Sequence, residues 1–516
     1  MNGAESLIRT LVGGGVDVCF ANPGTSEMHF VAALDRVPAM HCILALFEGV
    51  CTGAADGYAR MADRPAATLL HLGPGFANGM ANLHNASKAN TPLVNVVGDH
   101  ATYHRAYDSP LTSDVEGIAR PYSNWLRTSK SATDVSGDAA TAIAAARRAP
   151  GHIATLILPA NTAWSAAGDI AEVEPDERRA IVADAAVERA ALLLRSGPAA
   201  IIVAGPALRE GPLATAGRIA TLTGAKIYAP YGMARAERGA GRVPFERVPF
   251  SLDGALAMFA QMRSIILVGA TAPVAFFAYP GRPSVLTPDD CTVHVLSRPD
   301  EDGVAALEAL AERLGARTSA PGFAPALAPA SPQGPITLPG IAAVVAAAIP
   351  QHAIVVDESQ TSGRAIMTTS IGSAPHDYIC NTGGSIGYAL PVAVGAAVAC
   401  PDRPVLCLEA DGSGMYTLQA LWTIARENLN VTTVIMANRK YQVLIGESKN
   451  VGAGGVEALG PRALDMLEIG RPNLDWVALA NGMGVPGERV TTLDAFAAAL
   501  QRDLREPGPA LIEVVV

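Results

Sequence analysis

The feature that most constrains the fold is a strand, helix, strand pattern near the C-terminus, in residues 405–441. The run VLCLE has the length and apolar character of a buried strand, and TLQALWTIAREN carries apolar residues at helical spacing. The β-branched run VTTVIMA then predicts a second strand. Because such crossovers are right-handed and join parallel strands, the carboxyl ends of both strands lie at the same edge of a sheet. Asp411 and Asn438, which follow the two strands, are therefore expected to converge.

The residue types at this predicted edge suit a metal ion and a phosphate group. A carboxylate and an amide oxygen are hard ligands for Mg²⁺, which keeps positions for phosphate oxygens and water. The backbone N–H groups of Gly412 and Ser413, near a helix start, suit phosphate. Asp-Gly is also a common turn, and Asp or Ser a common helix cap, so each residue alone is ambiguous. The combination with Asn438, 27 residues after Asp411, favours a metal-diphosphate cradle.

The whole chain predicts three α/β domains. Of its 516 residues, 50% are hydrophobic and only 17% are charged, which favours large buried sheets over disorder. A charged connector and a linker rich in Pro, Ala and Ser, residues 317–337, divide it into residues 1–175, 185–318 and 338–516. Strand and helix patterns alternate in each block, which predicts an α/β fold with three doubly wound parallel sheets.

Composition and motifs also exclude several classes of protein. The formal net charge of −10 argues against a general nucleic-acid binder. We find no apolar span of membrane length and no signal-peptide pattern, and the seven cysteines lie scattered in apolar runs, as in reduced cytoplasmic proteins. No CxxC or His-Cys cluster indicates zinc, and no Gly-x4-Gly-Lys-Ser/Thr motif supports a nucleotide-binding enzyme of the P-loop type.

Polar features in the first block fall where predicted strands end. The turn Asn22–Thr25 follows one strand, Glu48 a second and His71 a third. Open α/β sheets bind ligands at these carboxyl ends. Glu48 could instead complement a helix dipole, and His71 could be a hydrogen-bonded histidine at a strand end. Position therefore makes both residues candidates for a site without giving them a role.

Several motifs resemble the thiamine diphosphate (ThDP)-dependent family of 2-oxo acid decarboxylases and carboligases. They are ADGS with Asn438 at its distance, ILALFEGVCTGAADGYAR and NTGGSIGYALP, and the likeness extends over essentially the whole chain. Ala410 departs from the family's Gly at that position. The resemblance implies a pyrimidine-binding domain at residues 1–175, a central Rossmann-like domain at 185–318 and a domain at 338–516 that binds diphosphate and Mg²⁺.

The resemblance also implies roles for individual residues. Glu48 would hydrogen-bond N1′ of the aminopyrimidine, and Thr25 and His71 would act as catalytic groups near the substrate. Ile386 would be the wedge that bends the cofactor, although core packing is the commoner fate of an isoleucine. The implied metal ligands are Asp411, Asn438 and the main-chain carbonyl of Lys440. The other implied cofactor contacts are Asn22, Pro23, Gly24, Gln360, Thr361, Gly384, Gly412, Ser413 and Tyr441.

Two subgroups of the family come closest and leave the reaction open. The opening GGVDVCFANPGTSEMHFVAALD resembles acetolactate synthase large subunits, whereas LHLGPGFANGMANLHNA and LQALWTIARENL resemble benzoylformate decarboxylase. Acetolactate-type ligation is preferred on overall resemblance. Non-oxidative decarboxylation of an apolar or aromatic 2-oxo acid is the alternative, and a non-catalytic ThDP-binding regulatory subunit is a further one, against which Glu48 argues.

Cofactors and partners follow from the same resemblance. An FAD in the central domain stays open, although VAGPALREG lacks the GxGxxG fingerprint. Val443, Leu444 and Glu447 are expected near the substrate, which indicates a mostly apolar substrate side chain. Phe276 and Phe277 stand where benzoylformate decarboxylase has a second histidine. The chain is expected to form a homodimer or homotetramer with sites between subunits, and to bind neither nucleic acid nor membrane.

Overall fold

The structure is a computed structural model that describes residues 1–327 and 332–516. It contains three sheets whose strands run parallel except at one edge, with helices packed against them. The predicted α/β class with three doubly wound sheets is confirmed. Residues 328–331, part of the predicted linker at 317–337, lie outside the described residues.

The first domain is built on a six-stranded parallel sheet in the order β2-β1-β3-β4-β6-β5. Its strands are β1 (Val18–Asn22), β2 (His41–Leu44), β3 (Ala66–Leu70), β4 (Leu93–Asp99), β5 (Trp125–Thr128) and β6 (Ile153–Pro159). Its helices are α1 (Gly3–Gly13), α2 (Met28–Leu34), α3 (Glu48–Ala62), α4 (Leu72–Lys88), α5 (Val115–Ala119), α6 (Val135–Arg147) and α7 (Ala160–Trp164). Strands β3, β4 and β6 are buried along their whole length, which explains their mainly apolar sequences.

The central domain has a five-stranded parallel sheet in the order β10-β8-β7-β11-β12. The strands from this part of the chain are β7 (Ala199–Val203), β8 (Lys226–Ala229), β9 (Ala236–Arg238), β10 (Glu246–Arg247), β11 (Ser264–Val268) and β12 (Thr292–Ser297). Its helices are α8 (Asp184–Arg195), α9 (Glu210–Thr223), α10 (Leu252–Phe259) and α11 (Gly303–Leu314). Strand β9 belongs to the sheet of the third domain, so the central stretch of chain contributes to two sheets.

The third domain has a seven-stranded sheet in the order β17-β18-β16-β15-β13-β14-β9, in which the pairing of β9 with β14 is antiparallel. Its own strands are β13 (Ile354–Glu358), β14 (His376–Cys380), β15 (Val405–Ala410), β16 (Val431–Ala437), β17 (Gly487–Val490) and β18 (Ala510–Val515). Its helices are α12 (Leu338–Ala348), α13 (Ile366–Thr369), α14 (Ala389–Ala399), α15 (Asp411–Gly414), α16 (Ala420–Arg426), α17 (Gln442–Asn450), α18 (Pro461–Asp465), α19 (Trp476–Gly482) and α20 (Leu493–Asp503).

The first and third domains are joined by close packing of α3 against α14. A Cβ atom on Gly395 would lie 1.8 Å from the carbonyl oxygen of Ala54, and one on Gly57 would lie 2.1 Å from that of Val392. The two backbones therefore approach each other more closely than any side chain would permit. Small residues in GVCTGAADGYAR and ALPVAVGAAVA are explained by this contact.

Helix lengths depart from the prediction at one place. The predicted single helix over TLQALWTIAREN is shorter, because α16 covers only Ala420–Arg426 and the four-residue α15 precedes it. No helix in residues 1–327 or 332–516 is long and apolar enough to cross a membrane.

Candidate active site

The ends of β15 and β16 meet at Asp411. The two strands are parallel neighbours, and Asp411 follows β15 directly. One of its carboxylate oxygens accepts a hydrogen bond from the backbone N–H of Arg439 at 2.6 Å, and the other accepts from Gly412 N–H at 2.9 Å. Asn438, immediately before Arg439, accepts from Lys440 N–H at 3.1 Å through its side-chain oxygen. The crossover thus brings the three implied metal ligands to one edge of the sheet.

Asp411 is a buried carboxylate without a cationic side chain bound to it. It is 3% exposed, and no salt bridge to it occurs within the described residues. Burial raises its pKa to about 6, against the opposing effect of the N–H groups of Arg439 and Gly412. A divalent cation beside this oxygen pair would offset the desolvation that the carboxylate now carries. The donor set therefore fits Mg²⁺.

Tyr441 and Ser413 lie near Asp411, and each makes its own contact within the protein. The ring of Tyr441 lies over Gly412, where an added Cβ would come within 2.7 Å of a ring carbon. The Ser413 hydroxyl bonds to the carboxylate of Glu409, so its side chain is already engaged within the protein. The described residues hold no group of three His, Cys, Asp or Glu side chains placed to bind a metal. A metal here would consequently depend on one carboxylate, an amide and a carbonyl, leaving positions for phosphate and water.

Two buried glutamates that the sequence reasoning missed lie on neighbouring strands. Glu358 ends β13 and is in register with Glu409 on β15. Glu358 accepts three backbone N–H bonds from Gly387, Tyr388 and Ala389, at 2.7 to 3.1 Å. Burial raises the pKa of Glu358 to about 7, and burial together with Glu358 raises that of Glu409 well above its usual range. The Glu-Ser pair at the end of β13 was the only sequence signal for Glu358, and its pairing with Glu409 depends on strand register.

Glu358 holds the segment that carries the predicted wedge. Ile386 lies just before the three N–H groups that Glu358 accepts, is only partly buried, and belongs to none of the hydrophobic cores of the described chain. Gly384 has a φ of +78°, and a Cβ there would lie 2.6 Å from the ring of Phe276. Gln360, after β13, has a φ of +52°, a conformation that non-glycine residues rarely adopt, and Thr361 follows it. Ile386 is thus available to contact a ligand.

In the first domain, the side chains of Glu48 and His71 lie close to each other. Glu48 begins α3 and is 7% exposed, and its carboxylate accepts a hydrogen bond from the Asn78 side chain at 3.0 Å. A Cβ on Gly75 would lie 2.9 Å from a Glu48 carboxylate oxygen and 3.1 Å from Cβ of His71. The glycine therefore permits the two side chains to approach each other.

His71 is held by Glu27, a residue to which the sequence pattern gave no role. The His71 Nδ1 lies 2.7 Å from a Glu27 carboxylate oxygen, which also accepts the Gly24 N–H at 2.8 Å. Glu27 is 3% exposed, and burial raises its pKa while His71 opposes the rise. Thr25 begins the 3₁₀ helix that ends at Glu27 and is exposed. The turn Asn22–Thr25 and His71 thus form one unit, fixed by a buried carboxylate.

Hydrogen bonds link the two clusters within one chain. The Asn82 side chain donates to the carbonyl oxygens of Gly49 at 2.9 Å and Gly387 at 3.3 Å. The Thr417 hydroxyl donates to the same Gly387 carbonyl at 2.9 Å. The start of α3, where Glu48 lies, is therefore close to the wedge segment and to the helix region after Asp411.

Aromatic rings from the central domain border the wedge segment. Phe276 and Phe277 pack against each other with ring centres 4.8 Å apart, and Phe250 lies 5.1 Å from Phe276. Tyr279 donates a hydrogen bond to Glu447 on α17 at 2.8 Å. Val443 and Leu444 lie on the same short helix. The surface near Gly384 is thus mainly apolar and aromatic.

Comparisons with known proteins agree with these motifs. Residues 1–118 match the N-terminal TPP binding domain of the thiamine pyrophosphate enzymes, and residues 362–514 match their C-terminal TPP binding domain. One relative is a Mycobacterium tuberculosis protein whose name, given as an unproven assignment, is acetolactate synthase large subunit IlvX. It is 54% identical over 100% of this chain and 99% of its own length. Benzoylformate decarboxylase of Pseudomonas aeruginosa is 30% identical over 97% of this chain and 96% of its own length.

A solved structure supports the same assignment. The thiamine diphosphate-dependent 4-hydroxybenzoylformate decarboxylase of Rhodococcus jostii RHA1 superposes with a TM-score of 0.86 at 25% identity, over 100% of this chain and 99% of its own. The matched regions contain Glu27, Glu48 and His71 in residues 1–118, and Asp411 and Asn438 in residues 362–514. The chain belongs to the thiamine diphosphate-dependent enzyme family that contains acetolactate synthase large subunits and benzoylformate decarboxylases.

Proposed function

We propose that this protein is a ThDP- and Mg²⁺-dependent enzyme that cleaves and forms carbon-carbon bonds of 2-oxo acids, with acetolactate-type ligation as its reaction. The observation that carries the proposal is Asp411, a buried carboxylate without an ion-pair partner in the described chain, at the strand end that the family's C-terminal domain includes. Such a group is costly unless a cation or a proton is present. A bound metal ion that holds a diphosphate would compensate the buried charge of this carboxylate.

The third domain would hold the charged end of the cofactor. Asp411, the Asn438 side chain and the Lys440 carbonyl would bind Mg²⁺, whose remaining positions suit diphosphate oxygens. Gln360 and Thr361 would contact the diphosphate from the end of β13. The absence of a side chain at Gly412 leaves room for the Tyr441 ring, which would lie beside the diphosphate. Removing the Asp411 carboxylate should therefore weaken cofactor binding only when Mg²⁺ is present.

The first domain would supply the groups that hold and transfer protons. Bound ThDP supplies carbanion chemistry at C2 of its thiazolium ring. Glu48 would hold a proton at N1′ of the aminopyrimidine, and its bond from Asn78 fixes the orientation of the carboxylate. His71, oriented by Glu27, would present Nε2 for proton transfer near the substrate. Thr25, exposed on the adjacent turn, would bind the substrate carboxylate.

Ligation is preferred because the relative with 54% identity carries an acetolactate synthase name. The alternative, decarboxylation of an aromatic 2-oxo acid, is favoured by the Phe276 and Phe277 pair beside Gly384. The apolar surface that these two rings form would suit an aromatic substrate side chain as well as a branched one. Both reactions would begin with loss of CO₂ from a 2-oxo acid, so they differ in what takes up the resulting carbanion.

Purified protein should be titrated with ThDP with and without Mg²⁺, then offered pyruvate or benzoylformate while CO₂, acetolactate and aldehyde are measured. Acetolactate from pyruvate supports ligation, and benzaldehyde from benzoylformate supports the alternative. Cofactor binding without turnover of any 2-oxo acid in a broad panel contradicts catalysis and favours the regulatory subunit. The visible absorption of the same preparation tests for FAD.

A further inference from the structure

A cavity lies between the central and third domains. Its volume is about 900 Å³, within the range of small-molecule sites. One wall comes from α9, β8 and the edge strand β10 of the central domain. The opposite wall comes from residues 357–371, which include the end of β13 and the segment after it. No residue implied in binding Mg²⁺ lines it, although Gln360 does.

The cavity carries cationic groups that have no carboxylate partner in the part of the chain that the structure describes. Arg247, Arg238, Lys226 and Arg364 line it, and none of the four forms a salt bridge within residues 1–327 and 332–516. The Arg247 guanidinium donates to the Cys380 sulfur at 3.2 Å and stacks over the Tyr231 ring, 4.9 Å from its centre. A sulfur atom is a weak acceptor for a charged donor. Arg247 thus keeps most of its hydrogen-bonding capacity for another group.

Arg238 supplies an independent indication of a ligand. Its side chain is 4% exposed, and its Nε has no hydrogen-bond partner in the described residues. Two other donors are satisfied, by the Met367 carbonyl at 2.6 Å and the Ser370 hydroxyl at 3.1 Å. Burial lowers the pKa of Arg238 to about 10, so it stays cationic at neutral pH. An unpaired buried charge of this kind is costly, and an anion in the cavity would offset the cost.

The remaining surface limits the charge and shape of that anion. Asp357, Glu358 and Glu246 also face the cavity, so its net charge is small and does not suit a polyphosphate. Asp357 is engaged with Ser359 and Tyr378, and Glu358 with the start of α14. Apolar side chains, among them Phe245, Phe250 and Met258, complete the walls. A singly charged group on an apolar body fits both features.

From these contacts we infer that the cavity is a binding site for an organic monocarboxylate with an aromatic or branched apolar body, whose carboxylate is bound by Arg247 and whose body lies against Phe245 and Phe250. Arg guanidinium groups bind carboxylates through paired N–H donors. The lining of the cavity contains none of the proposed metal ligands, and it shares Gln360 with the proposed cofactor contacts and Val443 with the residues expected near the substrate. Its ligand would contact the segment after β13, which also holds Gln360.

The test uses 3-phenylpropionate, which has no 2-oxo group and therefore cannot react as a substrate. Its binding to the full chain, saturated with ThDP and Mg²⁺, is measured by calorimetry. The neutral 3-phenylpropanamide should bind at least about tenfold more weakly, because it lacks the charge that Arg247 recognises. Arg247→Gln should weaken binding of the acid by at least about tenfold and leave the amide unaffected. This comparison of acid with amide requires no variant to fold.

Matched variants sharpen the result. Glu246→Gln removes an exposed carboxylate from the same wall and should tighten acid binding by about twofold. Arg298→Gln, an exposed arginine paired with Asp300 outside the cavity, should bind like the parent chain. If Arg247→Gln does not fold, Arg364→Gln on the exposed part of the wall should weaken binding by about threefold.

Three results would overturn the inference. They are equal affinities of the parent chain for acid and amide, equal acid affinity in the parent, Arg247→Gln and Glu246→Gln proteins, and displacement of the acid by ThDP. The last would mean that the acid occupies the cofactor's place. Because binding is measured without turnover, failure of the proposed enzymatic function would leave this test intact, and it can be repeated without ThDP.

Discussion

At the scale of single residues, carboxylates of the same chemical type lie in different surroundings within the candidate site. Asp411 is buried beside two N–H donors, Glu27 is paired with a histidine, and Glu358 accepts three N–H bonds at a helix start. Glu48 accepts a single bond from Asn78. Because the hydrogen-bond partners of the four carboxylates differ, we propose that the acids serve as metal ligand, positioning group, structural cap and proton carrier.

Glu48→Gln tests the proton-carrier role. The amide keeps the size of the side chain but cannot take up a proton, so we expect ThDP affinity within about threefold of the parent and a fall in kcat of at least about 100-fold. Calorimetry and steady-state kinetics measure the two quantities. Glu174→Gln, an exposed change in the same domain, is the control. Unchanged turnover in Glu48→Gln would refute the role.

Glu27 tests whether His71 depends on a positioning partner. Glu27→Ala leaves Nδ1 of His71 and the Gly24 N–H without their common acceptor, and we expect kcat to fall about tenfold to 100-fold. Glu27→Gln keeps an acceptor oxygen and should restore part of that loss, with KM little changed. The pH profile of kcat should differ between the two variants. Identical profiles and identical rates would contradict positioning.

At the scale of helices and strands, the ADGYAR motif serves the joint between domains. Asp56 and Arg60 form a buried ion pair at 2.6 Å on α3. Arg60 also donates to the Cys380 carbonyl at 2.9 Å and to the Thr382 hydroxyl at 3.2 Å in the third domain. The motif therefore fixes α3, and with it Glu48, against the domain that carries Ile386.

Gly395→Ala tests the close contact of α3 with α14. The new methyl group would lie 1.8 Å from the Ala54 carbonyl, so the helices must separate, and we expect a loss of about 1 to 3 kcal/mol in the free energy of unfolding. Gly137→Ala on α6 meets no atom within 4 Å and should be neutral or stabilising by up to about 1 kcal/mol. Urea unfolding of both variants gives the comparison. Equal stability of the two would show that the contact is looser.

His376 on β14 gives stability a defined pH dependence. Burial, then the charges of Arg238 and Arg242, lowers its pKa from 6.5 to about 4, while Asp377 opposes the shift. The unfolded chain therefore binds a proton first, and the His376 contribution is complete above pH 6.5 and is lost as pH falls towards 4. The loss amounts to as much as roughly 3 kcal/mol. His376→Gln should flatten the fall in urea midpoint between pH 7 and 5, and a parallel fall in parent and variant would contradict this.

At the scale of the whole molecule, the three domains share elements as well as interfaces. Strand β9, from the central stretch of chain, completes the edge of the third sheet. Phe276 lies against Gly384, and Tyr279 bonds to Glu447 on α17. The central domain is therefore built into the border of the candidate site rather than attached at a distance.

Subunit complementation tests the expected assembly with sites between subunits. In a dimer that combines Glu48 of one chain with Asp411 of another, Glu48→Gln and Asp411→Ala chains mixed after mild dissociation should regain activity. Half of the redistributed dimers would then contain one intact site, so about a quarter of the parent activity should return. Light scattering gives the mass before and after mixing. Activity that stays at the level of the separate variants, despite exchange of subunits, would place each site within a single chain.

Local patterns gave much of the fold and part of the site. Apolar runs predicted the buried strands, and the turn residues predicted where polar groups leave the sheets, because both depend on neighbours along the chain. The convergence of Asp411 and Asn438 could be predicted because a right-handed crossover fixes which strand ends are adjacent. Helix length was less predictable, as the short α16 shows, since packing and not periodicity ends that helix.

The sequence by itself determined the order of the elements, the polar residues at the strand ends and the family. These features depend on residue types and on their spacing along the chain, which can be read without the fold. Only the tertiary structure decided that Glu27 holds His71, that Glu358 faces Glu409, and that cations without ion-pair partners in the described chain line a cavity between two domains. These relations depend on strand register and on domains meeting. Both are set by the packing of residues far apart in sequence, for which a single sequence carries no local signal.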